Sequence, residues 1–306
     1  MRVLITGGTG SFGTALARQL VHDEALERLV IYSRDEQKQN TMERELDHPG
    51  LRFFIGDVRD RDRLELAMQG IDTVVHCAAM KIIPTCERDP FECVHTNVIG
   101  AENVARAALR AGVERVIALS TDKAAAPLNL YGASKLAAEK LFVAANSIAA
   151  GNCIYSVVRY GNVVGSRGSV IPLFRQLAAE KRPLPITHTE MTRFWITLDQ
   201  AVDFVLSCLD NMSGGEVFVP KLPSMRVVDL ADAIDYGGKR DIVGIRPGEK
   251  LHETLITADE MRLTYDADDR FVIMPGRPNA DGGNTAYTSD GNDVWLTIDD
   301  LRKMIA

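Results

Sequence analysis

The 306-residue chain contains no C-x-x-C pair and no H-x-x-x-H pair. It also has no apolar run near the roughly 18 residues that span a bilayer. Its five cysteines, Cys77, Cys86, Cys93, Cys153 and Cys208, are odd in number and scattered. That excludes a disulfide framework and describes a reduced, cytoplasmic protein. The six histidines cluster neither with each other nor with cysteine, so no metal site is expected. Basic excess is lacking as well. The 35 Lys and Arg stand against 42 Asp and Glu, a net charge of −7, which argues against nucleic-acid or membrane partners. The opening MRVLITGG is too short in apolar residues for a secretory signal.

What is present is an ordinary globular composition, 46% hydrophobic and 25% charged. It has enough material for one large domain or two closely joined ones. Short apolar, β-branched runs at 2–6 (RVLIT), 29–33 (LVIYS), 51–56 (LRFFIG), 73–78 (TVVHCA), 115–120 (RVIALS) and 154–160 (IYSVVRY) read as buried strands. Helical spacing covers 11–22, 35–48, 91–111 and 130–149. This alternation implies right-handed crossovers and a parallel sheet covered on both faces. The expected fold is α/β, a Rossmann-type doubly wound parallel sheet with a smaller C-terminal substrate-binding cap. Past residue 160 the rhythm breaks. Helices at 198–211 and 227–234 are separated by irregular segments, and 275–292 reads as a loop.

Thr6-Gly-Gly-Thr-Gly-Ser-Phe-Gly13 lies between the first strand and the first helix. Glycines there allow a tight turn and close approach of a pyrophosphate, and the helix N-terminus adds its N–H groups. Gly7, Thr9, Gly10, Ser11, Phe12 and Gly13 are the expected phosphate cradle. The second strand ends in Ser33 and Arg34 with Lys38 one turn on, cations suited to a 2′-phosphate, so NADP is expected. Asp35 is the counter-indication, since it could serve a ribose. Asp57 and Val58 are placed for the adenine edge, and Ala78 and Ala79 let a cofactor lie close.

Tyr131 and Lys135 form Y-x-x-x-K and share one helix face. The lysine is expected to lower the phenol pKa and make the tyrosine a base. Just upstream, Thr121 is followed by an acid and a potential base, Asp122 and Lys123. Burial and the Lys135 charge are expected to hold Lys123 neutral. This constellation resembles the extended short-chain dehydrogenase/reductase superfamily, whose members oxidise a sugar hydroxyl with bound NAD(P). A 4-ketone acidifies C5–H, so one further acid and one base permit loss of the C6 hydroxyl as water.

The Asp-Lys pair is similar to that of the inverting UDP-N-acetylglucosamine 4,6-dehydratases, which begin pseudaminic acid synthesis. SRDEQKQ (33–39), STDKA (120–124), NLYGASK (129–135), RYGNVVGSRGSV (159–170), MTRFWIT (191–197) and RPGEKLHE (246–253) carry the resemblance. It implies Asp122 as acid, Lys123 as C5 base, and NADP tightly bound and recycled within each turnover. It also implies UDP-N-acetylglucosamine as substrate, with Lys81, Asn162, Val170, Arg193, Arg246 and Glu249 holding it. Arg193 and Arg246 are expected at the diphosphate and Glu249 at the uridine ribose, with Arg167 and Lys250 as further cations of the same set. The expected division is 1–165, an NADP-binding Rossmann domain with the catalytic loop, and 166–306, the UDP-sugar cap, with some chain exchange between them. A homo-oligomer is also expected. A UDP-sugar 4-epimerase would need Tyr131 and Lys135 but not the Asp-Lys pair. A non-catalytic NADP-binding regulator would be expected to have lost Tyr131 or Lys135.

Overall fold

Val3, Leu4 and Ile5 are at most 2% exposed, because their strand lies in the middle of a sheet covered on both faces. A computed structural model describes residues 1–165 and 170–305. In chain order, the first half runs β1 (Arg2–Thr6), α1 (Ser11–Leu20), β2 (Arg28–Ser33), α2 (Glu36–Glu45), β3 (Leu51–Ile55), α3 (Arg61–Ala67) and β4 (Thr73–His76). There follow α4 (Ile83–Arg88), α5 (Pro90–Val94), α6 (Gly100–Ala111), β5 (Arg115–Thr121), α7 (Leu130–Ala149) and β6 (Ile154–Tyr160). Beyond it come β7 (Asn162–Val163), α8 (Val170–Ala179), β8 (Leu184–Ile186), β9 (Thr192–Ile196), α9 (Leu198–Asn211), β10 (Val217–Pro220), β11 (Ser224–Arg226) and α10 (Val227–Ile234). The chain ends with β12 (Arg240–Ile242), β13 (Thr254–Ile256), α11 (Ala258–Met261), β14 (Thr264–Ala267), β15 (Arg270–Ile273), β16 (Tyr287–Thr288) and α12 (Ile298–Ile305).

Among the described residues the main sheet has nine strands, in the order β14-β15-β10-β6-β5-β4-β1-β2-β3. From β3 to β10 all pairings are parallel. This is the expected doubly wound, Rossmann-type arrangement. The expectation of an all-parallel sheet needs one correction: β15 runs antiparallel to both β10 and β14. The turn between β14 and β15 uses Asp268 at φ 54, a left-handed position that Asp tolerates. The polar sequence TYDADDRF conceals these edge strands.

The helix expected over 91–111 is α5 and α6 joined by a π-helical turn, His95–Ile99. The extra residue in that turn rotates Thr96 and Asn97 inward, and both are buried. Side-chain caps set the starts of several other helices. Asp35 caps α2, Asp60 caps α3 and Asn129 caps α7. The main core spans both faces of the sheet. A second, smaller core gathers Ile171, Phe174, Leu184, Trp195, Leu230 and Leu301 from α8, β8, β9, α10 and α12. The region read as a loop over 275–292 contains β16, which pairs with β13. Among the described residues, no helix is long and apolar enough to cross a membrane.

Candidate active site

The carboxyl ends of β1, β2, β4, β5 and β6 open on one cavity of about 1200 Å³, the edge where parallel sheets bind ligands. At its nucleotide end Gly7 has φ +64, and a Cβ there would lie 2.9 Å from Ala78 Cα. A Cβ on Gly13 would lie 2.6 Å from Gly8 Cα, so α1 packs tightly on the turn. No side chain caps α1 at Gly10. A glycine cradle and an uncapped helix start fit a dinucleotide pyrophosphate. Gly7, Thr9, Gly10, Ser11, Phe12 and Gly13 all line this end.

Ser33, Arg34, Lys38, Asp57, Val58, Ala78 and Ala79 line the same cavity. Arg34 is well exposed, with its guanidinium 3.5 Å from Asp57. Burial works to raise the Asp57 carboxyl, but hydrogen bonds from Arg59 and the Arg34 charge hold it below its ordinary range. Asp35 also lines the cavity, yet its carboxylate accepts from the Lys38 backbone N–H and pairs with the Lys38 ammonium. Thr96, delivered by the π-helical turn, reaches the cavity with its hydroxyl buried and without a partner. Asn97 clamps the loop after β4 by accepting from Met80 N at 2.8 Å and donating to Met80 O at 2.9 Å.

At the catalytic end β5 runs into a 3-10 turn, Asp122–Ala124. The Thr121 hydroxyl donates to Asp122 Oδ1 at 2.9 Å and Lys123 Nζ donates to the same oxygen at 3.0 Å. Lys123 Nζ also lies 3.2 Å from Glu253 Oε1. The other oxygens, Asp122 Oδ2 and Glu253 Oε2, are buried without partners. Burial works to lower the Lys123 pKa. The carboxylates of Asp122 and Glu253 outweigh it, however, and hold the ammonium above its ordinary range. The expectation of a neutral Lys123 is therefore corrected: in the free protein it is a charged, doubly paired amine. Lys135 takes no part in this balance. Asp122 is fully buried beneath Lys123 and does not form the cavity wall, whereas Thr121, Lys123, Tyr131 and Lys135 do.

Burial pushes the Tyr131 phenol up to about 12, against the pull of the Lys123 charge and a hydrogen bond with Thr121. The influential cation is thus Lys123, not Lys135 as the helix spacing suggested. Lys135 is 5% exposed, and burial brings it down to about 8, opposed by Glu139 and Cys77. Glu139 is itself held by Arg159, at 3.0 Å (Nε to Oε1) and 2.6 Å (Nη2 to Oε2).

Lys81, Asn162, Val170, Arg246 and Glu249 line the same large cavity. Arg193 does not. It borders an adjoining chamber of about 150 Å³, together with Lys123, Asn162, Glu249, Lys250 and Glu253. Its guanidinium donates to the carbonyls of Thr192, Lys250 and Leu251 and lies 3.7 Å from Glu253. Asn162, Glu249 and Lys123 border both spaces, so Arg193 stands one side chain away from the large cavity. Lys250 donates to Ala125 O at 2.6 Å. Arg167 lies outside the described residues. Sequence reasoning missed Thr96, Asn97 and Glu253. Glu253 closes the RPGEKLHE segment, but nothing in its spacing links it to residue 123.

The family model described as polysaccharide biosynthesis protein matches residues 3–275. A UDP-N-acetylglucosamine 4,6-dehydratase (inverting) from Campylobacter jejuni subsp. jejuni serotype O:2 is 48% identical, covering 99% of this chain and 96% of that protein. A UDP-glucose 4-epimerase from Rickettsia canadensis is 41% identical, covering 97% of this chain and 89% of that protein. Among solved structures, the X-ray structure of Pen from Bacillus thuringiensis is similar with a TM-score of 0.93 at 36% identity, covering 99% of this chain and 96% of Pen.

Proposed function

The chain belongs to the polysaccharide biosynthesis protein family, and on that premise we propose that it is a UDP-N-acetylglucosamine 4,6-dehydratase that inverts C5. The product is UDP-2-acetamido-2,6-dideoxy-β-L-arabino-hexos-4-ulose, which enters a pseudaminic-acid-type pathway. The observation that carries this reading is the Thr121-Asp122-Lys123 turn packed beside Tyr131 at the end of β5. An acid and a base beside Tyr131 and Lys135 are what this reading needs.

A nicotinamide cofactor held by Gly7, Gly10 and Gly13 would supply the acceptor for the C4 hydride and the donor of that hydride to C6. Arg34 and Lys38 favour the 2′-phosphorylated form, since Asp35 is committed to capping α2. Thr121 and Tyr131 hold the C4 hydroxyl, and Tyr131 relays its proton as the ketone forms. Arg246, with Arg193 behind it, neutralises the diphosphate, and Glu249 faces the ribose. Lys81 and Val170 flank the sugar.

The Lys123–Asp122 ion pair resolves into the acid and base that elimination needs. Transfer of one proton from Nζ to the carboxylate leaves a neutral amine and a carboxylic acid. The amine takes the C5 proton. The electrons of that C–H bond become the C5=C6 double bond as the C6–O bond breaks. Asp122 passes its proton, by way of the Thr121 hydroxyl that bonds it and lines the cavity, to the departing hydroxyl, which leaves as water. Protonation of C5 on the face opposite the one that lost its proton to Lys123 inverts that carbon.

The 41%-identical epimerase favours a second reading, C4 epimerisation. Incubation with UDP-N-acetylglucosamine in deuterated water separates the two. Dehydration gives a 4-keto-6-deoxy sugar with deuterium at C5. Epimerisation gives the galacto sugar without exchange, and that outcome would overturn the dehydratase assignment.

A further inference from the structure

Glu253 is 2% exposed, yet no hydrophobic logic places a carboxylate there. It lies just before β13, which packs against the 3-10 turn carrying Lys123. Its backbone is fixed from both sides. Glu253 N–H donates to Ser289 Oγ at 2.9 Å and Ser289 N–H donates to Glu253 O at 2.9 Å. Its Oε1 sits 3.2 Å from Lys123 Nζ and 3.7 Å from Arg193 Nε, while Oε2 is buried and unpartnered. A buried carboxylate costs several kcal/mol unless it is paired, and here its pairing is with the amine that the dehydratase reading makes the C5 base.

We infer that Glu253 is a positioning residue for Lys123: it fixes the amine at the sugar end of the cavity and stabilises the ammonium that forms as Lys123 takes the C5 proton. The inference rests on the dehydratase reading and adds a residue to it. Once Asp122 has taken the proton and the amine is neutral, a fixed anion on its far side stabilises the ammonium re-formed as the C5 proton arrives, as an orienting carboxylate supports an imidazole base. Asp122 cannot fill this role throughout the cycle, because it gives up its negative charge when it carries the proton destined for the C6 oxygen.

The other charged groups facing this amine are Asp122, Arg193, Lys250 and the Tyr131 phenol. The carboxylate of Glu253 raises the Lys123 pKa. The active protonation state of the Asp122–Lys123 pair holds one proton, and it is lost at high pH when that proton leaves. Removing the Glu253 charge therefore moves the alkaline limb of the pH profile to lower pH.

The test compares wild type, Glu253→Gln and Glu253→Asp on UDP-N-acetylglucosamine in deuterated buffer. The readouts are C5 deuteration, the absorbance of transiently reduced nicotinamide, the pH profile and thermal unfolding. Glu253→Gln is expected to keep its fold and C4 oxidation while C5 exchange falls about 10²-fold, the lower end of a lost general-base contribution. Its alkaline limb moves to lower pH. Glu253→Asp keeps that limb at the wild-type position and recovers part of the rate, which a merely structural role would not do. A Gln variant that exchanges like wild type overturns the inference alone. So does one that loses exchange and C4 oxidation in parallel with an unmoved limb. Absence of C5 exchange in wild type overturns the dehydratase reading, and the inference falls with it.

Discussion

The carbonyl oxygen of Lys123 lies 2.2 Å from where a Cβ on Gly132 would be. The first turn of α7 and the 3-10 turn Asp122–Ala124 thus touch backbone to backbone, with only a hydrogen atom's room between them. Alanine is a better helix former than glycine by about 1 kcal/mol. A contact this short outweighs that gain, because neither element can yield: Asn129 caps the helix by accepting from Gly132 N–H at 2.8 Å. Gly132→Ala is expected to destabilise by roughly 1–3 kcal/mol, the cost of overpacking. It should also lower turnover further than the stability loss explains, since Lys123 moves away from Tyr131. Urea unfolding measured beside turnover checks both, and a stabilised, active variant would contradict the packing described.

Arg159 is 1% exposed and is the largest fully buried side chain among the described residues. It pairs with Glu139 on α7 and Glu260 on α11 and donates to Leu255 O at 2.8 Å. Arg159→Met leaves the Glu139 carboxylate buried without its partner. The expected loss is about 3–5 kcal/mol in urea unfolding. A loss under about 1 kcal/mol would mean that water reaches these charges.

His76 sits in the core with Nδ1 2.8 Å from Thr6 Oγ1 and Nε2 without a partner. Burial brings its pKa from 6.5 down to about 3, with the Lys135 charge assisting. The unfolded chain therefore binds a proton that the folded chain refuses. Stability should fall as pH drops from about 6.5 toward 3, by at most roughly 1.4 kcal/mol per pH unit. Thermal melts of wild type and His76→Phe across this range test it. The variant should lose this component of the acid slope, and an unchanged slope would place the titration elsewhere.

Arg34 is 61% exposed at the side chain, beside the end of β2. If the cofactor carries a 2′-phosphate, Arg34→Ala should weaken NADP binding by about 10-fold or more, the value of one charge-assisted hydrogen bond. NAD binding should change little. Calorimetry with both cofactors decides, and equal losses would remove the argument for NADP.

The alternation of strand and helix through residue 160 was legible because the inner strands are buried on both faces and read as apolar blocks. The bounds of β1, β6 and α7 follow directly from such patterns. The hairpin of β14 and β15 was not legible, since β14 is short, polar and mostly exposed and gives no apolar period to pair with β15. The π-helical turn at His95–Ile99 was equally hidden: one extra residue per turn leaves composition unchanged while redirecting Thr96 and Asn97.

The glycine turn, the Y-x-x-x-K pair and the adjacent Asp122 and Lys123 are local, and local spacing places such groups without knowledge of the fold. The protonation of Lys123 is not local. Beside the adjacent Asp122 it involves Glu253, 130 residues away in sequence and 3.2 Å away in space. Burial works against the charged amine, and Asp122 together with a second buried carboxylate, brought in ahead of β13, outweighs it. The sequence by itself determined which chemical groups stand at the end of β5. Only the tertiary structure decided their charge, because electrostatic energy in a buried site depends on distances that chain order does not record.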